Sequence, residues 1–255
     1  MSRATAAALL GLAMLTLVPS TPASAGIGTE LLPDLVVRRA RDLDLRITPA
    51  GRHRLRFTTT TANLGVGVVE LEPVQGDCDE DGDVENDRTA VQHIYLDEDG
   101  NGIYDPAVDI TSERAIVGCF VFHAIHDHWH FEDFARYRLM NPRTGRAVAT
   151  QAKVGFCVVD NYRWRGDLPG SPAAATYRSC QPDAVQGLSV GWADVYPAFL
   201  AAQWLDVSGL SPGRYCLVQR IDPGGRILEA DEGNNVNRTP IRLRSSSAAR
   251  RPGSC

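Results

Sequence analysis

Apolar residues along the chain fall in short alternating or β-branched runs broken by Gly, Pro and Asp, and rarely at helical spacing. Asp34 to Val37 is a brief apolar run. Arg52 to Thr60 alternates basic or polar residues with Leu55 and Phe57, while Val66 to Leu71 and Val91 to Leu96 are β-branched. Phe131 to Leu139 carries Phe131, Phe134 and Tyr137, and Gln203 to Val207 follows. Gly213 to Ile221 and Arg226 to Glu229 flank Asp222-Pro223-Gly224-Gly225, which predicts a hairpin. Pro197 to Ala202 has room for a helical turn or two. The pattern predicts an all-β fold, a mostly antiparallel β-sandwich of short strands with long loops and little helix.

The N-terminus reads differently. Arg3, the apolar run Ala6 to Val18 and Ala23-Ser24-Ala25 predict a secretory signal peptide over residues 1–25, and therefore a secreted, extracellular protein. Behind it lie a domain over residues 26–243 and a Ser/Ala/Arg-rich tail over 244–255, loose unless Cys255 ties it down. At 255 residues, 44% hydrophobic and 22% charged, the chain has the composition of a folded globular protein with a sizeable core. No apolar run reaches the roughly 18 residues that span a bilayer, so no membrane attachment is expected after cleavage. A net charge of −5 speaks against nucleic acid as a partner. In an oxidising compartment the six cysteines favour disulfides over thiolate metal sites, with connectivity left open.

Two acidic segments stand out. Asp77 to Asp87 reads as a solvated loop. Asp97 to Asp105 resembles the start of a calcium loop, with Asp97, Asp99, Asn101 and Asp105 as oxygen ligands and the Ile103 carbonyl between them. Val108 stands where the closing bidentate glutamate belongs, with Asp109 one residue late. Asp99-Gly100 and Asn101-Gly102 also make an ordinary polar hairpin turn, and both readings stay open.

Four of the six histidines lie within eight residues: His123, His126, His128 and His130. On a strand, His126, His128 and His130 share one face, which predicts a three-imidazole metal site; His123 has the opposite parity. Imidazole suits zinc, copper, iron or nickel, so the metal stays open at this point. The basic residues are equally uneven: Lys153 is the single lysine among 26 Lys and Arg. Its amine can lose its proton and act as a nucleophile, which no arginine can do.

The segment His123-Ala-Ile-His126-Asp-His128-Trp-His130, followed by Phe134-Ala-Arg-Tyr137-Arg-Leu139, resembles the copper-binding segment of the lysyl oxidase family. Lys153-Val-Gly-Phe156-Cys157 resembles that family's cofactor-lysine segment. Gln186-Gly-Leu-Ser-Val-Gly191 through Asp194-Val-Tyr196 to Gln203-Trp204-Leu-Asp206 resembles its cofactor-tyrosine segment. Leu32-Pro33-Asp34-Leu35-Val36 and Glu229 to Val236 match further landmarks. The resemblance spans about residues 31 to 243 and implies a copper catalytic domain over 26–243. It implies Cu(II) on His126, His128 and His130, and a lysine tyrosylquinone made from Lys153 and Tyr196, the catalytic pair. The implied reaction uses molecular oxygen to deaminate primary amines or lysine side chains of a protein substrate to aldehydes, releasing ammonia and hydrogen peroxide.

The sequence also departs from the family. Arg136 and Ile125 stand where animal members carry a proposed base histidine and a cysteine. The proton acceptor is therefore unassigned, with Asp160 and Asp194 as candidates. Cys157–Cys180 and Cys78–Cys119 are the favoured pairs, leaving Cys216–Cys255. The rival readings are a three-histidine zinc hydrolase and a non-catalytic metal-binding β-sandwich module.

Overall fold

A computed structural model describes residues 26–78, 86–124, 127–151 and 155–255. The predicted signal peptide, most of the acidic run after Asp77, His126 and Lys153 lie outside these residues. In chain order the first strands are β1 (Glu30–Leu31), β2 (Leu35–Val37), β3 (Arg41–Ile47), β4 (His53–Asn63), β5 (Val69–Gln75) and β6 (Asp87–Leu96). Then come β7 (Ser112–His123), β8 (His128–Phe131), β9 (Ala135–Met140), β10 (Ala147–Thr150), β11 (Tyr162–Arg163) and β12 (Gln186–Leu188). The last are β13 (Trp192–Tyr196), β14 (Trp204–Asp206), β15 (Gly213–Ile221), β16 (Val236–Leu243) and β17 (Ala248–Arg250). One 3-10 turn over Glu232–Asn234 is the only helical element among the described residues. The fold is all-β, as the alternation predicts.

Among the described residues every strand pairing is antiparallel. One sheet runs β12-β5-β6-β7-β8 with β1 on β6, a second runs β10-β9-β15-β16-β17, and a third runs β11-β13-β4-β14 with β2 and β3 also on β4. All three contribute to one core, including Leu55 and Phe57 from β4, Leu71 from β5, Phe120 from β7, and Tyr137, Leu139 and Leu217 from the second sheet. Each such side chain contributes about 1.5–3 kcal/mol by leaving water. Phe57 meets Tyr137 edge-on at 5.5 Å, and Tyr137 meets Phe156 at 6.0 Å, so aromatic packing carries the core toward the segment after Lys153.

Several expectations change. Arg226 to Glu229 is not a strand. Asp222 adopts a left-handed φ of 39° and accepts from the Ile227 amide, which turns the chain away from β15. Gln92 on β6 then bonds both the amide and the carbonyl of Leu228, so β15 waits for β16 as its partner. Pro197 to Ala202 forms turns, not helix. The run Phe131 to Leu139 is split at Asp133, whose φ of 55° ends one strand before the next begins. The tail is tied down: β17 adds to β16, and Cys255 is bonded to Cys216. Cys78–Cys119 and Cys157–Cys180 form as well. Arginines stack on indoles, with Arg38 over Trp164, Arg54 over Trp204 and Arg88 over Trp129 at 4.7, 4.1 and 4.9 Å.

Candidate active site

Strand β8 begins at His128, because Asp127 before it has a left-handed φ of 55°. The period-2 face therefore holds for His128 and His130, while His126 lies outside the described residues. The Nε2 atoms of His128 and His130 stand 3.0 Å apart, with His130 buried. His123, given the wrong parity by the sequence, arrives by another route. It ends β7, pairs across the hairpin with His128, and lays its ring 4.9 Å from that of His130.

The segment after Lys153 is bound to this strand directly. The Phe131 and Phe156 amides each donate to the other residue's carbonyl, at 2.8 and 3.0 Å. A Cβ on Gly155 would run into the Glu132 carboxylate and stand 3.1 Å from the His130 Cβ, so the glycine permits the approach. Tyr196, at the end of β13, reaches the same segment. Its hydroxyl donates to the Cys157 carbonyl at 2.8 Å and accepts from the Cys157 amide at 2.9 Å, and its ring meets Phe156 edge-on at 4.9 Å. Burial, then the negative charge of Asp194, pushes the phenol well above its ordinary range, against the Cys157 amide bond that favours the phenolate.

Neighbouring bonds fix this corner. Cys157 is joined to Cys180, whose carbonyl accepts from the Trp129 amide at 2.8 Å. Gln186, fully buried, donates to the Trp129 carbonyl and accepts from the Val158 amide. A cavity of about 410 Å³ opens here, lined by His128, Cys157, Asp194 and Tyr196 with the apolar Val159, Val195 and Leu200.

The two acidic candidates separate. Asp160 is buried and accepts from the amides of Thr176, Tyr177 and Ser189 and from the Ser189 hydroxyl, so it braces three loops. Asp194 lines the cavity and accepts from Asn161 Nδ2 at 2.7 Å. Gln186 stood inside a quoted motif but carried no sign of its clamping role; Asn161 had no signal at all.

The acidic turn lies elsewhere. Asp97 is fully buried, and its oxygens accept from the amides of Gly100, Asn101 and Gly102. Asp99, Asn101 and Asp105 likewise accept from amides two residues on. Asp97, Asp99 and Asp109 bring oxygens within 4.8 Å of one another. The two terminal landmarks also meet: Glu229 accepts from the Leu35 amide, and Asn234 donates to Asp34.

These features define a disulfide-bonded, all-β protein in which His128, Tyr196 and Asp194 line one cavity. The lysyl oxidase family profile matches residues 111–251, more than half of the chain, and the chain belongs to that family. Human lysyl oxidase homolog 1 is 35% identical over 121 residues, 47% of this chain and 20% of the relative. Protein-lysine 6-oxidase is 34% identical over 125 residues in both Rattus norvegicus and Sus scrofa, covering 48% of this chain and 28% and 46% of those relatives. The match therefore spans less than half the length of each of these relatives.

Proposed function

We propose that the protein oxidises primary amines, lysine side chains among them, with copper on His126, His128 and His130 and a lysine tyrosylquinone formed from Lys153 and Tyr196. The observation that carries this reading is that the histidine strand, the segment following Lys153 and Tyr196 all border one cavity. The donor set fits the metal. Two imidazole nitrogens facing each other at 3.0 Å are donors of the type that would hold copper. When bound, copper and the quinone would supply two-electron redox chemistry between the amine and O₂.

The chain's own residues supply the rest. The Cys157 peptide and the Phe156 ring hold the Tyr196 ring in one orientation. Asp194 is the carboxylate placed to attract an ammonium and to accept a proton from the carbon beside the nitrogen, while Asn161 fixes its Oδ1. Val159, Val195 and Leu200 present an apolar wall to an alkyl chain. Three disulfides support an oxidising, extracellular setting.

The test is a proteolytic mass map after loading with copper in air. We expect one peptide pair joined through Lys153 and Tyr196, and no such pair in Lys153→Arg. Two separate, unmodified peptides from copper-loaded protein would overturn the cofactor. Stoichiometric zinc in place of copper would favour the hydrolase reading.

A further inference from the structure

A second cavity, of about 380 Å³, is lined by Glu70, Tyr95, Tyr104, Tyr177, Asp109 and Ser189 among others. Glu70 lies on β5, Tyr95 on β6, and Tyr104 and Tyr177 on loops. Tyr95 donates its hydroxyl to Glu70 Oε1 at 2.7 Å, and Tyr177 donates to Oε2 at 2.8 Å. The Tyr95 and Tyr104 rings lie 4.9 Å apart, tilted by 47°. Among the described residues, no Arg, Lys or His lines the cavity and Glu70 makes no ion pair. Asp109, buried, adds a second negative charge, its oxygens taken up by the Glu98 and Asp105 amides.

We infer that this cavity is a binding site for an alkylammonium group, held by Glu70 within a cage of Tyr95, Tyr104 and Tyr177. A half-buried carboxylate that meets only neutral donors on both oxygens has no counter-charge beside it, so the group that completes it is a cation. Tyrosine faces attract such a cation, and the phenol oxygens, already donating to Glu70, keep lone pairs for its N–H groups. The cavity's volume of about 380 Å³ and its aromatic lining suit an organic ammonium on a carbon chain. Such a group arrives on a free amine or on a lysine side chain of a polypeptide. The inference uses neither the histidines nor the quinone.

The test is a titration with tetramethylammonium chloride, followed by NMR of isotope-labelled tyrosine rings. This ion has no N–H with which to condense on a carbonyl, so its binding is independent of amine oxidation. We expect saturable shifts at Tyr95, Tyr104 and Tyr177. Binding should weaken about tenfold in Glu70→Gln, which removes the charge but can still pair with the phenols, and about threefold in Tyr104→Leu. Shifts that do not saturate by about 100 mM, or equal affinity in wild type and Glu70→Gln, would overturn the site. Propylammonium and a capped lysine-centred tripeptide then separate the sources. Tighter binding of the peptide assigns the site to polypeptide, and equal binding to free amines.

Discussion

The histidine corner and the acidic turn looked alike in the sequence: each is a short run dense in metal-ligating side chains. In the fold they differ in where those side chains direct their polar atoms. Asp97 uses both oxygens on amides within five residues of itself, so its charge closes a turn. His128 and His130 turn their ring nitrogens toward each other, and the groups beside them come from the adjoining hairpin strand β7 and from β13 and the segment after Lys153, which lie farther off in sequence. Residues satisfied by their own backbone build local structure. Residues brought together from separate strands, with donor atoms facing one another, form a site.

The largest expected effect tests the first half of that contrast. His130→Ala should lower amine oxidation at least ~1000-fold and remove copper, because it takes away one of two facing nitrogens. Its three disulfides should still form. Retained copper with normal peroxide release would place the metal elsewhere. Asp97→Ala should do the reverse. It frees three amides that the buried carboxylate now satisfies, at a cost of about 2–3 kcal/mol in urea unfolding, with turnover per folded molecule unchanged.

A third acidic group shows what happens when carboxylates face each other. Asp222, Glu229 and Glu232 bring oxygens within 4.8 Å. Burial, reinforced by those neighbours, pushes Glu229 up to about 7, against the opposing bonds from Asn235 and the Leu35 amide. Between its unfolded value of 4.5 and about 7, the folded chain holds a proton that the unfolded chain has lost. Stability should therefore fall as pH rises through that window. Because the side chain is partly exposed, the loss should be about 1–2 kcal/mol. Glu229→Gln should flatten the slope; an unchanged slope would remove Glu229 as its source. Smallest of all, exposed Asp99→Asn should change stability by no more than ~0.5 kcal/mol. If calcium raises the Tm of wild type but not of Asp99→Asn, the turn belongs with the metal sites after all.

Much of this was legible in advance. Leu55 and Phe57 alternate cleanly because β4 has one buried face there. Strand β7 was not foreseen, since its Ile116 is 78% exposed and Gly118 falls at an irregularity opposite Ala90, which hides the alternation. The hairpin at Asp222 was misread because turn chemistry was visible while the capture of Leu228 by Gln92, 136 residues away, was not. In the site, His128 and His130 stand two residues apart on β8 with their rings in contact, while His126 lies outside the described residues. The left-handed Asp127 and the β7 route of His123 depend on backbone geometry that side-chain identity does not specify. Asp160 and Asp194 were equal by sequence position. Only their bonding partners assign one to bracing and the other to the cavity.

The Arg–indole stacks and the solitary lysine have a consequence for self-damage. An enzyme that turns amines into aldehydes works in a cloud of its own electrophilic products, and those products couple to free amines. Of the 26 Lys and Arg side chains here, 25 are guanidinium groups, which stay protonated and condense poorly with aldehydes. The one primary side-chain amine is the residue proposed to be consumed in building the cofactor. Under the proposed reaction, the chain with its cofactor formed offers no lysine side chain to the aldehydes it makes, and its α-amine is the one primary amine left.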